Sequence, residues 1–182
     1  MKFISCGRYH SVGAEMRPVS IKEASSRFGA TVESEQRISG VAVDSRLVKD
    51  GDLFFALKGA KADGHAFLGD AARKGAKGAV VDSSYSGPDY GLVLIKSPDV
   101  LQSLQSLAGS AVKEHKLRIV GITGSLGKTT TKDFTVALLR GSFRAAASPG
   151  NSNSQLGLPL AILNRPCDDD EVLVLEMGMT HP

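Results

Sequence analysis

A glycine-rich segment between a predicted strand and a predicted helix constrains the fold of this chain more than any other feature. Residues 123–130 read Thr-Gly-Ser-Leu-Gly-Lys-Thr-Thr. An apolar run at 117–122 precedes them, and a helical pattern at 128–140 follows. Glycines let successive backbone N–H groups turn toward one anion, and the helix N-terminus adds partial positive charge. The segment therefore predicts a phosphate-binding loop at the start of a parallel-sheet domain, in an α/β fold.

Seven residues of this loop are expected to bind the phosphates of a nucleotide. Lys128 supplies a full positive charge for the outer phosphates, and the Thr129 hydroxyl can ligate Mg²⁺. The others are Gly124, Ser125, Leu126, Gly127 and Thr130. The bland alternative is a glycine-rich turn with a solvated lysine, which the strand–loop–helix context disfavours.

The loop departs from the general phosphate-loop pattern at one position. Ile122 stands where the leading glycine is expected, and Gly121 lies one residue too early. A GTPase is disfavoured because no Asn-Lys-x-Asp motif is found. The nearest segment, residues 164–168, lacks the lysine.

Charge and cysteine content narrow the class of partner. The net charge of +3 is mild and both signs are dispersed, which does not favour nucleic acid or a membrane surface. No stretch approaches the roughly 20 apolar residues needed to span a bilayer. Cys6 and Cys167 are far apart and outside metal-ligand spacing, so we expect free thiols in a reducing, cytoplasmic protein.

The alternation of strand and helix patterns predicts two α/β units. We expect a loose tail at 1–16, a first domain at 17–115 and the start of a second domain at 116–182. Predicted strands cover 38–44, 52–57, 78–81, 91–95, 117–122, 144–147 and 171–176. Predicted helices begin at the capping box of Ser20, at His65, at the cap Ser97 and at Lys128, and a last one carries Leu156, Leu160 and Leu163. The helix at 128–140 presents Phe134, Ala137 and Leu138 on one face.

The phosphate loop resembles a particular family. Thr-Gly-x-x-Gly-Lys-Thr with this shortened glycine spacing is similar to the ATP loop of the Mur ligases and of their folylpolyglutamate synthase relatives. The folate enzymes usually have Gly-Lys-Gly-Ser, whereas this chain has Gly-Lys-Thr-Thr at 127–130, which favours the Mur ligases. The resemblance implies ATP and Mg²⁺ as cofactors.

A second resemblance covers the first unit. Asp44-Ser45-Arg46, with the segments 51–57 and 59–67, resembles the uridine-nucleotide domain of the MurE and MurF types. Ser45 and Arg46 offer a hydroxyl and a guanidinium to a diphosphate or a uracil edge, and Lys61 offers another cation. Taken alone, Asp-Ser-Arg is more typical of a structural turn with an internal ion pair. Asp63 and His65 are expected to be structural.

Two segments of the second unit resemble the MurF type specifically. Residues 150–159 resemble its Gly-Asn-x-Asn-Asn-x-Ile-Gly-x-Pro loop, although Ser154 replaces the third Asn, and Asn151 is a candidate substrate contact. Residues 176–181 resemble its Glu-Leu/Met-Gly-x-x-His segment. Glu176 ends a predicted buried strand, where an Mg²⁺ ligand is expected, and His181 could bind a second cation. We expect the strand after the phosphate-loop helix to return beside the first strand, so that Lys128 and Glu176 meet at one sheet edge as catalytic residues.

The resemblance implies an ATP-dependent ligase of cell-wall precursor synthesis. It would join UDP-N-acetylmuramoyl-tripeptide to D-alanyl-D-alanine through an acyl phosphate, and a monomer is favoured. Two alternatives stay open: a MurE-type ligase that adds the third amino acid, and a nucleotide-binding remnant without ligase activity. Because family members have a longer central domain and a third domain, we expect the second domain to be truncated and this chain alone to be inactive.

Overall fold

The computed structural model contains two separate parallel sheets, each flanked by helices. It describes residues 18–59, 62–148, 154–165 and 170–178. The strands are β1 (Val19–Ser20), β2 (Arg37–Ile38), β3 (Gly40–Ala42), β4 (Asp52–Phe55), β5 (Gly78–Asp82), β6 (Val93–Ser97), β7 (Arg118–Ile122), β8 (Ala145–Ala147) and β9 (Val172–Glu176). The α-helices are α1 (Ile21–Ser26), α2 (Leu68–Arg73), α3 (Val100–Glu114), α4 (Lys128–Leu139) and α5 (Gly157–Leu163); 3-10 helices cover Ser45–Leu47 and Gly64–Phe67.

The first sheet has the order β3-β4-β5-β6, and every pair in it is parallel. The centre of the sheet is apolar on both faces, as parallel sheets covered by helices require. Phe55 packs with α1 and α3 on one face, and Phe54 packs with α2 on the other. The α/β fold expected from the sequence is confirmed.

Of the two N-cap residues predicted in the first domain, one is confirmed and one is wrong. Ser20 is the N-cap of α1, and its hydroxyl accepts a hydrogen bond from the Glu23 N–H, as predicted. The cap of α3 is Asp99, which accepts from the Gln102 N–H, and not Ser97. The correction has a physical reason: Ser97 ends β6, and its buried hydroxyl is engaged with the Ser103 hydroxyl at 2.7 Å.

Several predicted elements are shorter or divided in the structure. The predicted strand at 38–44 is split into β2, which pairs with β1 in a two-stranded antiparallel ribbon, and β3. The predicted helix at 65–74 begins as a 3-10 turn before α2. Among the residues described, no helix has the length and apolar content of a membrane span.

The second sheet has the order β7-β9-β8. The strand that follows α4 is β8, and it does not lie beside β7, so the expected return path is wrong in this detail. The reason is burial: β9 (Val-Leu-Val-Leu-Glu) is buried at all five positions and takes the central place, whereas the short Ala-Ala-Ala strand lies at the edge. The expected meeting of the phosphate loop and Glu176 holds, because β9 is the neighbour of β7.

Helix α4 packs on this sheet through a different face from the one predicted. Lys132 and Val136 are its buried residues. Phe134 and Leu138 are 67% and 80% exposed, and Ala137 is exposed beside them. The apolar face recognised in the sequence therefore points away from the sheet.

Helix α5 joins the two sheets. Leu163 is fully buried in the core of the first sheet, and Ala161 belongs to the core of the second. Directly after the helix, the Asn164 amide donates to the Val41 carbonyl (2.9 Å) and accepts from the Val41 N–H (3.1 Å). Since β3 is an edge strand, this amide acts in place of a neighbouring strand.

Asn164→Ala should lower the free energy of unfolding by about 1–3 kcal/mol, because it leaves both polar groups of a buried edge residue without these partners. Urea denaturation followed by circular dichroism measures the change. Gln102→Ala, at an exposed amide on α3, is the matched control. Equal urea midpoints for Asn164→Ala and wild type would show that the hydrogen bonds between Asn164 and Val41 do not stabilise the fold.

Candidate functional site

The phosphate loop connects β7 to α4 with two glycines in conformations that other residues rarely adopt. Gly124 has φ +149° and Gly127 has φ +72°, and Gly127 is the N-cap of α4. Only glycine adopts such angles without strain, which explains both positions in the motif. Ser125 and Leu126 are exposed at the tip of the loop. The Lys128 ammonium donates to the Gly124 carbonyl at 2.8 Å, so it lies back over the loop.

The carboxylate of Glu176 contacts the first turn of α4. The parallel register pairs Glu176 with Ile122, the last residue of β7 before the loop. The Thr129 hydroxyl donates to the Glu176 carboxylate at 2.9 Å, and Glu176 is only 3% exposed. A hydroxyl and a carboxylate at one point, beside a phosphate loop, are hard oxygen donors of the kind Mg²⁺ prefers.

The described residues alone do not form a complete metal cage. No group of three or more His, Cys, Asp or Glu side chains that could hold a metal occurs among them. A magnesium ion bound through one or two protein oxygens together with nucleotide phosphates does not require such a group. The predicted second-cation ligand His181 and the predicted substrate contacts Lys61 and Asn151 lie outside the described residues.

Two buried polar residues beside this site were missed in the sequence. Lys132 follows Lys128 by one helical turn, and Ser148 directly follows β8; they are 4% and 2% exposed. The Lys132 ammonium donates to the Ser148 carbonyl at 3.2 Å. The spacing of the two lysines put them on one side of α4, but only the position of β8 shows that this side is buried.

The predicted uridine-nucleotide residues lie after β3, at its carboxyl end. Asp44 caps the 3-10 turn: its carboxylate accepts from the Arg46 N–H at 2.9 Å and from the Arg46 guanidinium at 2.6–3.1 Å. Ser45 is buried, while the Arg46 side chain is 85% exposed. The internal ion pair considered for this motif is therefore present, and it leaves most of the guanidinium facing solvent.

A shallow depression of about 140 Å³ adjoins this turn. Its lining residues are Ser45, Arg46, Asp70, Arg73 and Lys74. The Lys74 ammonium donates to the Arg46 carbonyl at 2.6 Å, and Arg73 pairs with Asp70. Three cations and one carboxylate line it, and the lining stays positive even when the Asp44 carboxylate paired with Arg46 is counted, which suits an anionic ligand.

The Arg46 contacts also change the acidity of Asp44. Hydrogen bonds from the Arg46 guanidinium, and then from its backbone N–H, lower the pKa of Asp44 from 3.8 to about 2. Because the folded-state pKa lies below the ordinary one, the ionised pair stabilises the turn above about pH 4, and this contribution is lost as the pH falls through about 2. At neutral pH, Asp44 is ionised and Arg46 is held in place by it.

Asp63 and His65 have the structural contacts expected of them. The Asp63 carboxylate accepts from the His65 backbone N–H at 3.0 Å and lies 2.6 Å from His65 Nδ1. His65 Nε2 accepts from the Asp82 N–H at 3.0 Å, and the ring stacks on Tyr85. Both ring nitrogens are therefore used to fix the turn to the end of β5.

The fold and the site together define a phosphate-loop nucleotide-binding protein. Two family models match consecutive parts of the chain: "Mur ligase family, catalytic domain" over residues 37–121 and "Mur ligase middle domain" over residues 122–182. The chain belongs to the Mur ligase family.

The chain is similar to named relatives from two branches of this family. The UDP-N-acetylmuramoyl-tripeptide--D-alanyl-D-alanine ligase of Bacillus subtilis is 41% identical over 143 residues, which are 79% of this chain and 31% of the relative. A UDP-N-acetylmuramoyl-L-alanyl-D-glutamate--2,6-diaminopimelate ligase of Syntrophomonas wolfei is 37% identical over 127 residues, 68% of this chain and 25% of the relative. The crystal structure of the MurF ligase of Thermotoga maritima in complex with ADP is 36% identical with a TM-score of 0.69, covering 79% of this chain and 33% of that one. The chain thus spans about a third or less of the length of these relatives.

Proposed function

We propose that this chain is the nucleotide-binding front part of an ATP-dependent ligase that joins UDP-N-acetylmuramoyl-tripeptide to D-alanyl-D-alanine. The observation that carries the proposal is the contact between the Thr129 hydroxyl and the Glu176 carboxylate beside the phosphate loop. It is supported by the name of the Bacillus subtilis relative and by the ADP complex of the Thermotoga maritima ligase. Because the chain covers 31% of the Bacillus subtilis relative, the ligation belongs to the whole protein.

The residues of the loop bind and orient the phosphates of ATP. Backbone N–H groups at the start of α4 face the anion, and the Lys128 ammonium exchanges the Gly124 carbonyl for phosphate oxygens. Thr129 and Glu176 would hold Mg²⁺, and its charge would offset that of the transferred phosphoryl group. The loop and Lys128 thereby stabilise the charge that develops on the bridging and terminal oxygens.

The bond changes of the proposed reaction balance in two steps. A carboxylate oxygen of the tripeptide attacks the γ-phosphorus of ATP, and ADP leaves, which gives an acyl phosphate. The free amine of D-alanyl-D-alanine then attacks the acyl carbon, loses a proton, and inorganic phosphate leaves as the amide forms. In the first step, this chain supplies the residues that bind the phosphates of ATP.

The positive depression beside Ser45 and Arg46 is the proposed site of the uridine diphosphate. The exposed guanidinium, with Arg73 and Lys74 next to it, offers charge-assisted hydrogen bonds to a diphosphate. Lys61 and Asn151 stay predicted contacts of the same substrate.

We further propose that the boundary between the two domains lies at 115/116, because this position leaves β7 whole. The first domain then covers 17–115, and the second begins at 116.

The diaminopimelate-adding branch is the second candidate. Its relative matches over a shorter part of this chain and at lower identity than the Bacillus subtilis ligase. The segment Glu-Met-Gly-Met-Thr-His at 176–181 also differs from the Glu-x-Ser-Ser-His that is typical of the MurE type. The D-alanyl-D-alanine ligase is therefore preferred. We propose that this ligase is a cytoplasmic monomer that uses ATP.

Replacing the phosphate-loop lysine tests the nucleotide site. Lys128→Met should weaken ADP binding to this chain by about 10- to 100-fold, since a charge-assisted hydrogen bond to a phosphate is lost. Isothermal titration with ADP and excess Mg²⁺ measures it. Lys113→Met, at an exposed position on α3, should bind like wild type. Equal affinities for the two variants would remove Lys128 from the phosphate site.

Replacing Arg46 tests the uridine-nucleotide site separately. Arg46→Ala should weaken binding of UDP-N-acetylmuramoyl-tripeptide by about 1.5–3 kcal/mol, because its guanidinium is exposed at the depression and can donate charge-assisted hydrogen bonds to a diphosphate. Lys96→Ala is the control, since Lys96 lies exposed on β6 at the opposite edge of the sheet from β3. Superimposable titration curves for Arg46→Ala and wild type would rule out this assignment.

A further inference from the structure

Lys132 is a buried cation with no part in the proposed phosphate contacts. Its side chain is 6% exposed, and the ammonium has the Ser148 carbonyl at 3.2 Å and the exposed Asp133 carboxylate at 3.8 Å. Burying an ammonium costs several kcal/mol unless it is paired. A methionine would fill similar space without that cost. The position therefore calls for an explanation in terms of what the ammonium contacts.

Ser148 connects three elements at the carboxyl edge of the second sheet. Its N–H donates to the Val174 carbonyl at 2.9 Å and extends the pairing of β8 with β9. Its hydroxyl accepts from the Glu176 N–H at 3.3 Å, and its carbonyl accepts from Lys132. Lys132 is therefore linked to the Glu176 backbone through Ser148.

These contacts close into a ring. From α4, Lys132 bonds to Ser148, Ser148 to the Glu176 N–H, and the Glu176 carboxylate to Thr129, which lies back on α4. Thr129 and Lys132 are three residues apart, so both project from the same side of the helix. The ring fixes both ends of Glu176 relative to α4: its backbone through Ser148 and its carboxylate through Thr129.

We propose that Lys132 is a positioning residue, whose ammonium holds Ser148 and thereby sets the Glu176 carboxylate against the Thr129 hydroxyl for the magnesium-bound nucleotide. The ligand in this statement rests on the proposed function; the effect on the protein does not.

Amide hydrogen exchange tests the ring without any nucleotide. The Glu176 N–H bonds to Ser148, whereas the next amide, Met177 N–H, bonds to the Ile122 carbonyl at 2.8 Å. In this chain, Lys132→Met and Ser148→Ala should each speed exchange at Glu176 about tenfold, as expected for one lost hydrogen bond, and leave Met177 unchanged. Lys132→Arg, which keeps a donor and the charge, should restore most of the protection.

Nucleotide titrations then show whether positioning affects the site. Magnesium should tighten ADP binding to wild type, and Lys132→Met should reduce that gain about fivefold or more, with ADP affinity in excess EDTA unchanged. Lys113→Met is again the control. Combining Lys132→Met with Ser148→Ala should be little worse than either alone, because both break one ring.

Distinct outcomes contradict the two proposals. If Ser148→Ala speeds Glu176 exchange and the folded Lys132→Met variant does not, Lys132 does not act through Ser148. Equal loss of ADP affinity with magnesium and with EDTA would make Lys132 a general support of α4. Absence of ADP binding by wild type would instead contradict the proposed function, while the exchange data would still decide whether Lys132 positions Glu176.

Discussion

The parallel pairing of β9 with β7 determines which side chains meet at the phosphate loop. The register places Glu176 beside Ile122, so the strand ends in a carboxylate at the point where the loop begins. The Thr129 hydroxyl, on the first turn of α4, lies within hydrogen-bond distance of it. The helix contributes the Thr129 hydroxyl and the acidic strand contributes the Glu176 carboxylate, both beside the loop. Displacement of any of these three elements would remove the site.

The position of Glu176 at this sheet edge also depends on contacts of its backbone. The Lys132 ammonium donates to the Ser148 carbonyl, and the Ser148 hydroxyl accepts from the Glu176 N–H. Helix α5 places Leu163 in the first core and Ala161 in the second. The two proposed anion sites, near Arg46 and near Lys128, therefore lie on sheets that share one packed helix.

Local patterns in the sequence predicted those features that local physics decides. The Ser20 cap, the run before the phosphate loop and the buried acidic strand each follow from a few adjacent residues. The phosphate-loop residues were found because glycine geometry and helix polarity leave a signature over eight positions. The family resemblance suggested that Ser45 and Arg46 bind a ligand, whereas the residues alone left open a ligand site or an internal ion pair.

Features that depend on distant partners were not predictable in this way. The order β7-β9-β8 is decided by burial of a strand far along the chain, and the cap of α3 moved to Asp99 because Ser97 is used by Ser103. Asn164 and Lys132 are ordinary polar residues until Val41 and Ser148 are brought to them. Contacts over 123 and 16 residues leave no local pattern in the sequence.

The most direct measurement of the central claim is paramagnetic broadening of the backbone amides by Mn²⁺ bound with ADP. Mn²⁺ accepts the same oxygen ligands as Mg²⁺ and broadens only nearby resonances. If the end of β9 and the first turn of α4 form one metal–nucleotide site, the amides of Thr129, Thr130, Glu176 and Met177 broaden together at substoichiometric metal, while Leu53 in the first sheet stays sharp. Broadening at α4 with sharp Glu176 and Met177 signals would contradict the account, since the acidic strand would then lie apart from the nucleotide.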